Sequence, residues 1–137
     1  MIMSEKGLEL LTLREGFKTF AYQDTRGIWT IGVGHTGPEV VKGLVWTAKQ
    51  VTDALRADVA TAEKAINGGV KVVLTHNQFD ALVSFIFNVG VGAFTRSTML
   101  KLLNQGNYTE AAKQFDRWVI PIEITSRRMS EKAQFKS

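Results

Sequence analysis

An almost entirely apolar helix is the feature that most constrains how this chain can fold. Thr75 and Gln78 form a capping box, a helix-start signal in which each side chain accepts the backbone N–H of the other residue. The residues that follow carry large apolar side chains on nearly every face of that helix: Phe79, Leu82, Val83, Phe85, Ile86, Phe87 and Val89. Because such a helix must be covered on all sides, we expect it to be the buried centre of a larger, helical lobe.

Further helix signals lie on both sides of this central helix. Ser4 can cap a helix to about Arg14, whose apolar residues form two faces, one with Leu10, Leu13 and Phe17 and the other with Leu8 and Leu11. Two apolar faces predict that this helix is wedged between other elements. The remaining signals predict helices from Thr47 to about Asn67, from Met99 to Leu103, from Asn107 to Trp118 and from about Thr125 to Phe135.

Glycines crowd into residues 27–43, where we expect turns and short strands. A period of two predicts a β-hairpin with strands 20–23 and 28–33 and a turn over 24–27. One face of the second strand carries only Thr30, Gly32 and Gly34, so it could line a groove that admits a polymer. The predicted fold is therefore α+β and mostly helical, with a small β-hairpin lobe over about residues 15–45 and a helical lobe from the remainder.

Composition narrows the classes of protein to which the chain can belong. Its 137 residues, 45% hydrophobic and 22% charged, suit one soluble globular domain and exclude a disordered chain or a long coiled coil. The lack of cysteine excludes disulfides and thiolate chemistry. No apolar run approaches the ~18 residues of a membrane span and no signal peptide follows Met1, so we expect folding in the cytoplasm and no membrane insertion.

The net charge of +4 is unevenly distributed along the chain. Residues 1–69 carry eight basic and eight acidic side chains, whereas residues 70–137 carry nine basic and five acidic ones. The second half should therefore favour an anionic partner. A small helical nucleic-acid-binding module is one class with that property, but the basic residues are dispersed over several predicted helices, so we expect no nucleic-acid binding.

Glu15 is the first candidate for chemistry. It lies seven residues after Leu8 and four after Leu11, so it continues an apolar stripe and is predicted to face inward where the helix ends. Desolvation in an apolar corner favours the protonated form of a carboxyl group, as a general acid working near neutral pH requires. The alternative is a core carboxylate that pairs with an arginine.

Asp24 and Thr30 extend this candidate site. A hairpin folded against the end of the first helix could bring both side chains to Glu15. Two carboxyl groups in unlike environments are what inverting glycoside hydrolysis needs, one as acid and one as the base that activates water, and Thr30 would help to hold that water. Spacing alone leaves the alternatives that Asp24 only forms the turn and that Thr30 is an ordinary strand residue.

These residues belong to a longer pattern that resembles a known family. Glu15, Asp24 and Thr30, separated by eight and then five residues, look like the catalytic signature of the phage-type lysozymes, the endolysins of glycoside hydrolase family 24. Segments similar to the family occur in family order at 14–17, 22–24, 29–36, 78–82, 87–90 and 93–100. The resemblance implies a lysozyme-like fold and a single catalytic domain over residues 1–137.

The resemblance also implies an activity, that of a muramidase, which hydrolyses the β-1,4 bond between N-acetylmuramic acid and N-acetylglucosamine in peptidoglycan. By position, Glu15 is the general acid, Asp24 the carboxylate that activates water and Thr30 its partner; no metal or other cofactor is implied. Some family members have cysteine in place of Asp24 and are activated by thiol exchange, a control that this cysteine-free chain cannot use.

The cellular route follows from the same resemblance. The chain lacks the signal-anchor segment of secreted members, so it resembles those that wait in the host cytoplasm and reach the periplasm and cell wall at lysis. A holin would give access to the wall without direct contact, and we expect a monomer.

Four further residues are candidate substrate ligands: Gly32, Asn88, Ser97 and Arg127. Asn88 either presents its amide to sugar acetamido groups or only ends the central helix. Arg127 and its neighbour Arg128 either pair with Glu15, meet the acidic peptide stems or form a solvated charged face. Residues 119–124 depart from the family, because they are shorter than its Gly-rich loop and contain no glycine.

Two alternative functions remain for a chain with this pattern of residues. A lytic transglycosylase would need the acid but not Asp24 or Thr30, whose presence favours hydrolysis. A catalytically inactive wall-binding protein on the same scaffold is the other alternative.

His35 has no second ligand nearby in sequence, which favours a hydrogen-bonded structural histidine over a metal site.

Overall fold

The computed structural model describes residues 1–137, which form two compact units. One unit is Leu8–Val59 and the other combines Met1–Gly7 with Ala60–Ser137. The predicted small lobe, residues 15–45, lies inside the first unit. That the whole chain is a single catalytic domain stays a prediction.

The secondary structure is mostly helical with one antiparallel hairpin, which confirms the predicted fold class. The elements are α1 (Glu5–Glu15), β1 (Lys18–Gln23), β2 (Trp29–Gly32), α2 (Ala48–Asp58), α3 (Ala60–Gly69), α4 (His76–Val89), α5 (Val91–Thr95), α6 (Thr98–Asn104), α7 (Tyr108–Lys113) and α8 (Thr125–Lys136). Two 3₁₀ turns, Gln114–Arg117 and Ile122–Ile124, precede α8. No helix is both long and apolar enough to span a membrane.

The hairpin of the first unit has an irregular register. Tyr22 is paired with Thr30, but Lys18 is paired with Gly32, so the first strand holds extra residues between these two pairs. Within this irregular part Phe20 pairs with Val45 instead of β2. Such an irregularity bends the strand and increases its local twist.

The second strand is covered more completely than its sequence predicts. Ile31 and Val33 are buried, but so is Thr30, on the face predicted to be bare. At Gly32 an added Cβ would lie 3.1 Å from Cζ3 of Trp46, so this ring covers the small-residue face there. The prediction of an open groove wall at Gly32 is wrong, because a glycine in a strand also accommodates the close approach of a large side chain.

Two predictions about helices also need correction. On α1, Leu8 and Leu11 are buried, whereas Leu13 is 79% exposed and Phe17, beyond the helix end, is 55% exposed, so the helix has one covered apolar face rather than two. The predicted helix from Thr47 to Asn67 is two helices, divided at Val59, where the two compact units also divide. The capping box of Thr47 with Gln50 is present as predicted.

The second unit is organised around α4, as predicted. The helix begins with the capping box of Thr75 and Gln78, and its residues from Phe79 to Ile86 are buried. Helices α3, α5 and α8 pack against it. Phe85 makes edge contacts with Phe115 and Trp118, with ring centroids 5.4 Å apart in both pairs.

The N-terminus of the chain is fixed within this second unit by hydrogen bonds. The hydroxyl of Ser4 accepts the N–H of Gly7 at 3.0 Å, which confirms the predicted cap of α1. The carboxylate of the buried Asp80 in turn accepts both the backbone N–H and the hydroxyl of Ser4. The N–H of Met3 donates to Glu63.

Candidate active site

Glu15 is the last residue of α1. The helix ends there because Gly16 adopts a positive φ of 71° while its N–H still donates to the carbonyl of Thr12. Only Gly16 and Phe17 separate this carboxyl group from β1. Glu15 is an exposed residue, so the prediction that it faces inward is wrong: the apolar stripe of Leu8 and Leu11 is buried, but its continuation past the helix end is not.

Asp24 stands at the start of the hairpin turn and organises its backbone. Its Oδ1 accepts the N–H of Arg26 at 2.8 Å and that of Ile28 at 2.9 Å. The N–H of Ile28 is the main cause that lowers the pKa of Asp24; partial desolvation opposes it, and the N–H and charge of Arg26 lower the pKa further. Asp24 is therefore ionised at neutral pH, and its Oδ2 makes no hydrogen bond within the protein.

Thr30 is buried on β2 and is held by the same residue as Asp24. Its hydroxyl donates to the carbonyl of Ile28 at 2.9 Å. Since that bond uses the only hydroxyl proton, the oxygen lone pairs of Thr30 are left to accept a hydrogen bond from another molecule. The two side chains are thus bound to the N–H and C=O of one residue, Ile28.

This arrangement is compatible with both interpretations of Asp24. Its carboxylate does form the turn, as the structural alternative predicts, but it does so through Oδ1 alone. An ionised carboxylate with one open oxygen, bound to the same residue as a hydroxyl that can accept a hydrogen bond, is able to orient and deprotonate a water molecule. Sequence spacing could not reveal that Ile28 would anchor both groups, because the anchor is backbone and independent of residue type.

The other residues predicted to bind substrate lie in different settings. Gly32 is in β2 under the ring of Trp46. In the second unit, Asn88 is exposed on α4 and its Oδ1 accepts from Arg128, which leaves the amide N–H groups available. Ser97 caps α6 by accepting the N–H of Leu100 at 3.1 Å, and its hydroxyl donates to the carbonyl of Phe94 at 2.7 Å.

Arg127 and Arg128 are not the solvated charged face that one alternative predicts. Arg127 donates to the carbonyl of Ser84 at 2.9 Å and to Glu131 at 3.2 Å. Arg128 is fully buried; it donates to Glu131 and Asn88, and to the carbonyl of Trp118 at 2.8 Å. Glu131, also fully buried, is a residue that the sequence argument missed. Its spacings of four residues from Arg127 and three from Arg128 are the available signal.

His35 has the structural role that was predicted for it. Its Nδ1 lies 2.7 Å from a carboxylate oxygen of Asp58 and its Nε2 lies 2.7 Å from one of Glu39. Partial burial lowers the pKa of His35, but the hydrogen bonds and charges of the two carboxylates outweigh that effect and raise it. The imidazole also contacts the ring of Trp46, with centroids 5.3 Å apart.

Comparison with known proteins relates this arrangement to a family. The model of the phage lysozyme family matches residues 12–131. The endolysin of Acyrthosiphon pisum secondary endosymbiont phage 1 is 42% identical over 100% of this chain and 99% of its own length. A crystal structure of a variant of P22 lysozyme is similar with a TM-score of 0.94 at 42% identity, covering 100% of this chain and 99% of that one.

A bacterial relative is nearly as similar. The muramidase domain of SpmX from Asticaccaulis excentricus has a TM-score of 0.91 and 39% identity, covering 98% of this chain and 97% of that one. These matches extend over nearly the full length of the chain and confirm the resemblance inferred from its motifs: the chain belongs to the phage lysozyme family.

Proposed function

We propose that the chain is a muramidase that hydrolyses the β-1,4 bond between N-acetylmuramic acid and N-acetylglucosamine in peptidoglycan, with inversion at the anomeric carbon. As a member of the phage lysozyme family the chain is a lysozyme-type glycoside hydrolase. The observation that carries the finer proposal is the anchoring of Asp24 and Thr30 on the backbone of Ile28.

Asp24 is the base and Thr30 positions the water. Oδ2 of Asp24 takes a proton from a water molecule that also donates a hydrogen bond to the hydroxyl oxygen of Thr30. Because Asp24 has a lowered pKa, it is ionised over the neutral range and so can accept that proton. The oxygen of the water then attacks the anomeric carbon of the muramic acid from the face opposite the leaving sugar.

Glu15 is the general acid. Its carboxyl group donates a proton to the glycosidic oxygen as the bond to the anomeric carbon breaks. Exposure of Glu15 in the chain without substrate is compatible with this role, because a glycan strand lying over the end of α1 would displace water from the carboxyl group. An inverting enzyme holds its two carboxyl groups ~6.5–9.5 Å apart so that a water molecule fits on the far side of the sugar.

The biological setting is part of the same proposal. Relatives named endolysins support action on the cell wall at lysis. We propose that the chain waits in the host cytoplasm until then, and that a holin provides access to the wall without direct contact. We propose a monomer that acts on peptidoglycan, without nucleic acid, membrane insertion, metal or other cofactor. For substrate binding, the free amide N–H groups of Asn88 are the feature in the second unit best suited to sugar acetamido oxygens. Gly32, Ser97 and Arg127 stay predictions.

The products of digestion test the proposal. Purified peptidoglycan is treated with the wild type, and the new ends are identified by mass spectrometry and by early-time NMR of the anomeric proton. We expect reducing-end muramic acid of α configuration. A 1,6-anhydro end would identify a lytic transglycosylase, and a β product would mean that Asp24 acts as a covalent nucleophile.

Variants assign the roles. Glu15→Gln should lose nearly all activity because an amide cannot donate the proton, whereas Glu9→Gln, an exposed change on the same helix, should keep it. Asp24→Asn should also lose much activity, since Oδ1 still accepts the two turn N–H groups but the base is gone. Thr30→Ala should reduce activity less than Asp24→Asn does. If the wild type binds peptidoglycan but yields no products, the chain is an inactive wall-binding protein.

A further inference from the structure

An exposed group of two aromatic rings and one cation lies along β1. We call Lys18, Phe20 and Tyr22 the β1 strip. The ammonium of Lys18 is 5.6 Å from the ring centroid of Phe20 and 5.5 Å from that of Tyr22, so all three side chains lie on the same side of the strand. Phe20 is 53% exposed, although it is a large apolar residue.

Apart from the contact of the ammonium with the two rings, the polar side-chain atoms of the β1 strip make no hydrogen bond or ion pair within the protein. Lys18 is exposed and pairs with no carboxylate, and the hydroxyl of Tyr22 makes no hydrogen bond. A lysine held over aromatic rings keeps a charge that can still bind an anion on its open side. The strip therefore presents unused apolar, cationic and hydrogen-bonding groups together.

The position of the β1 strip relates it to the residues proposed for catalysis. Tyr22 and Thr30 are directly paired across the hairpin, and directly paired residues of antiparallel strands project from the same face of the sheet. Asp24 follows Tyr22 by two residues, at the end of the same strand. The strip thus leads along one face of the hairpin toward Asp24 and Thr30.

We propose that the β1 strip binds the glycan strand beside the scissile bond and reads the peptide stem of muramic acid. Sugars present apolar faces of C–H groups, which pack on aromatic rings such as those of Phe20 and Tyr22. Peptide stems carry carboxylates, which are the charge complement of Lys18. This inference rests on the proposed muramidase function and adds a substrate preference: strands with stems bind more tightly than strands without them.

The test compares two soluble substrates: glycan strands that carry peptide stems, and the same strands after an amidase has removed the stems. Lys18→Met should raise KM by about two- to fivefold on stem-bearing strands, the range of an exposed ion pair, and leave KM on stem-free strands unchanged. Phe20→Ser should raise KM by about five- to tenfold on both substrates, since the bound sugar no longer buries part of a phenylalanine side chain. In both variants kcat should stay at the wild-type value.

The same unit supplies matched controls. Phe17→Ser removes a ring of nearly equal exposure, 55% against 53%, and Lys42→Met removes an exposed charge elsewhere. Both controls should have wild-type kinetics on both substrates. The inference is overturned if the variants of the β1 strip behave like these controls, or if Lys18→Met raises KM equally with and without stems.

A binding measurement separates this inference from the proposed function. The Glu15→Gln chain is titrated with a disaccharide-peptide fragment of peptidoglycan, and NMR shifts are followed at Lys18, Phe20 and Tyr22. Shifts at Lys18 and Tyr22 that disappear in the Glu15→Gln/Phe20→Ser double variant support the inference even if the wild type cleaves nothing. Cleavage by the wild type with no shifts at the strip would overturn the inference and leave the muramidase proposal intact.

Discussion

The buried carboxylate of Glu131 is the group whose loss should most strongly destabilise the helical unit. It has no exposed surface, and it accepts hydrogen bonds from the hydroxyl of Ser84 at 2.5 Å, from Arg127 at 3.2 Å and from Arg128. Arg128 is equally buried and lies 4.8 Å from the ring of Phe85. In Glu131→Gln the shape is kept, but the two arginines lose their common counter-charge.

The size of the effect follows from the burial. Removal of one partner of a buried ion pair typically costs about 3–5 kcal/mol, because the other charge is left desolvated without compensation. Burial already lowers the pKa of Arg128, with the charge of Glu131 opposing that shift, so loss of this carboxylate removes the main group that favours the charged guanidinium. For a chain of this length such a loss corresponds to a fall in Tm of about 10–20 °C.

Urea and thermal unfolding, followed by far-UV circular dichroism, measure the effect. The control is Glu123→Gln, an exposed carboxylate in the 3₁₀ turn before α8, which should change the free energy of unfolding by less than about 0.5 kcal/mol. The double variant Arg128→Met/Glu131→Leu should recover part of the loss, because it removes the fully buried charge of Arg128, while Arg127 still lacks the counter-charge of Glu131.

Two results would refute this reasoning. If Glu131→Gln loses less than about 1 kcal/mol, the cluster is not desolvated as its burial indicates. If the double variant is less stable than Glu131→Gln, the hydrogen bonds from Arg128 to Asn88 and the carbonyl of Trp118 contribute more than the charge pairing does.

Three further predictions concern other parts of the chain. The pKa of His35 is raised in the fold, so the stabilisation by its protonated imidazole should be complete below the unfolded pKa of about 6.5 and be lost as pH rises through the folded pKa. A Tm that falls as pH rises from the unfolded to the folded pKa in the wild type, but not in His35→Gln, would verify this direction. Gly7→Ala should destabilise by about 1–3 kcal/mol because its Cβ would lie 2.5 Å from Cγ of Asp80, whereas Gly68→Ala, a helical position with nothing within 4 Å, should be neutral or stabilising; urea unfolding of both variants tests the contrast. Binding to purified cell wall should weaken as salt screens the basic half of the chain, and sedimentation that is independent of ionic strength would contradict this.

The beginnings of the helices were predictable from the sequence because their signals are local. A capping box such as Thr75 with Gln78 satisfies N–H groups within one turn, so it acts in the same way whatever lies around it. The turn started by Asp24 is equally local, since both of its acceptor bonds reach residues of the same turn. The three residues proposed for catalysis could also be selected from the sequence, through their spacing and the family motifs around them.

The environments of these residues could not be predicted in the same way. Periodicity shows that Leu8, Leu11 and Glu15 share a stripe on α1. It does not show how much of that stripe other elements cover, and Glu15 lies beyond the covered part. For the same reason Leu13 is exposed although it has an apolar side chain. Coverage depends on contacts with residues distant in the sequence, which no local pattern contains.

The tertiary structure also decided where the strongest polar interactions lie. The sequence marks Arg127 and Arg128 as charged residues at the start of a helix, which is ordinarily a solvated position. The fold buries Arg128 because Glu131, Asn88 and the carbonyl of Trp118 converge on its guanidinium from three parts of the chain. A buried charge is tolerated only when such partners surround it, and only the folded chain brings those partners together.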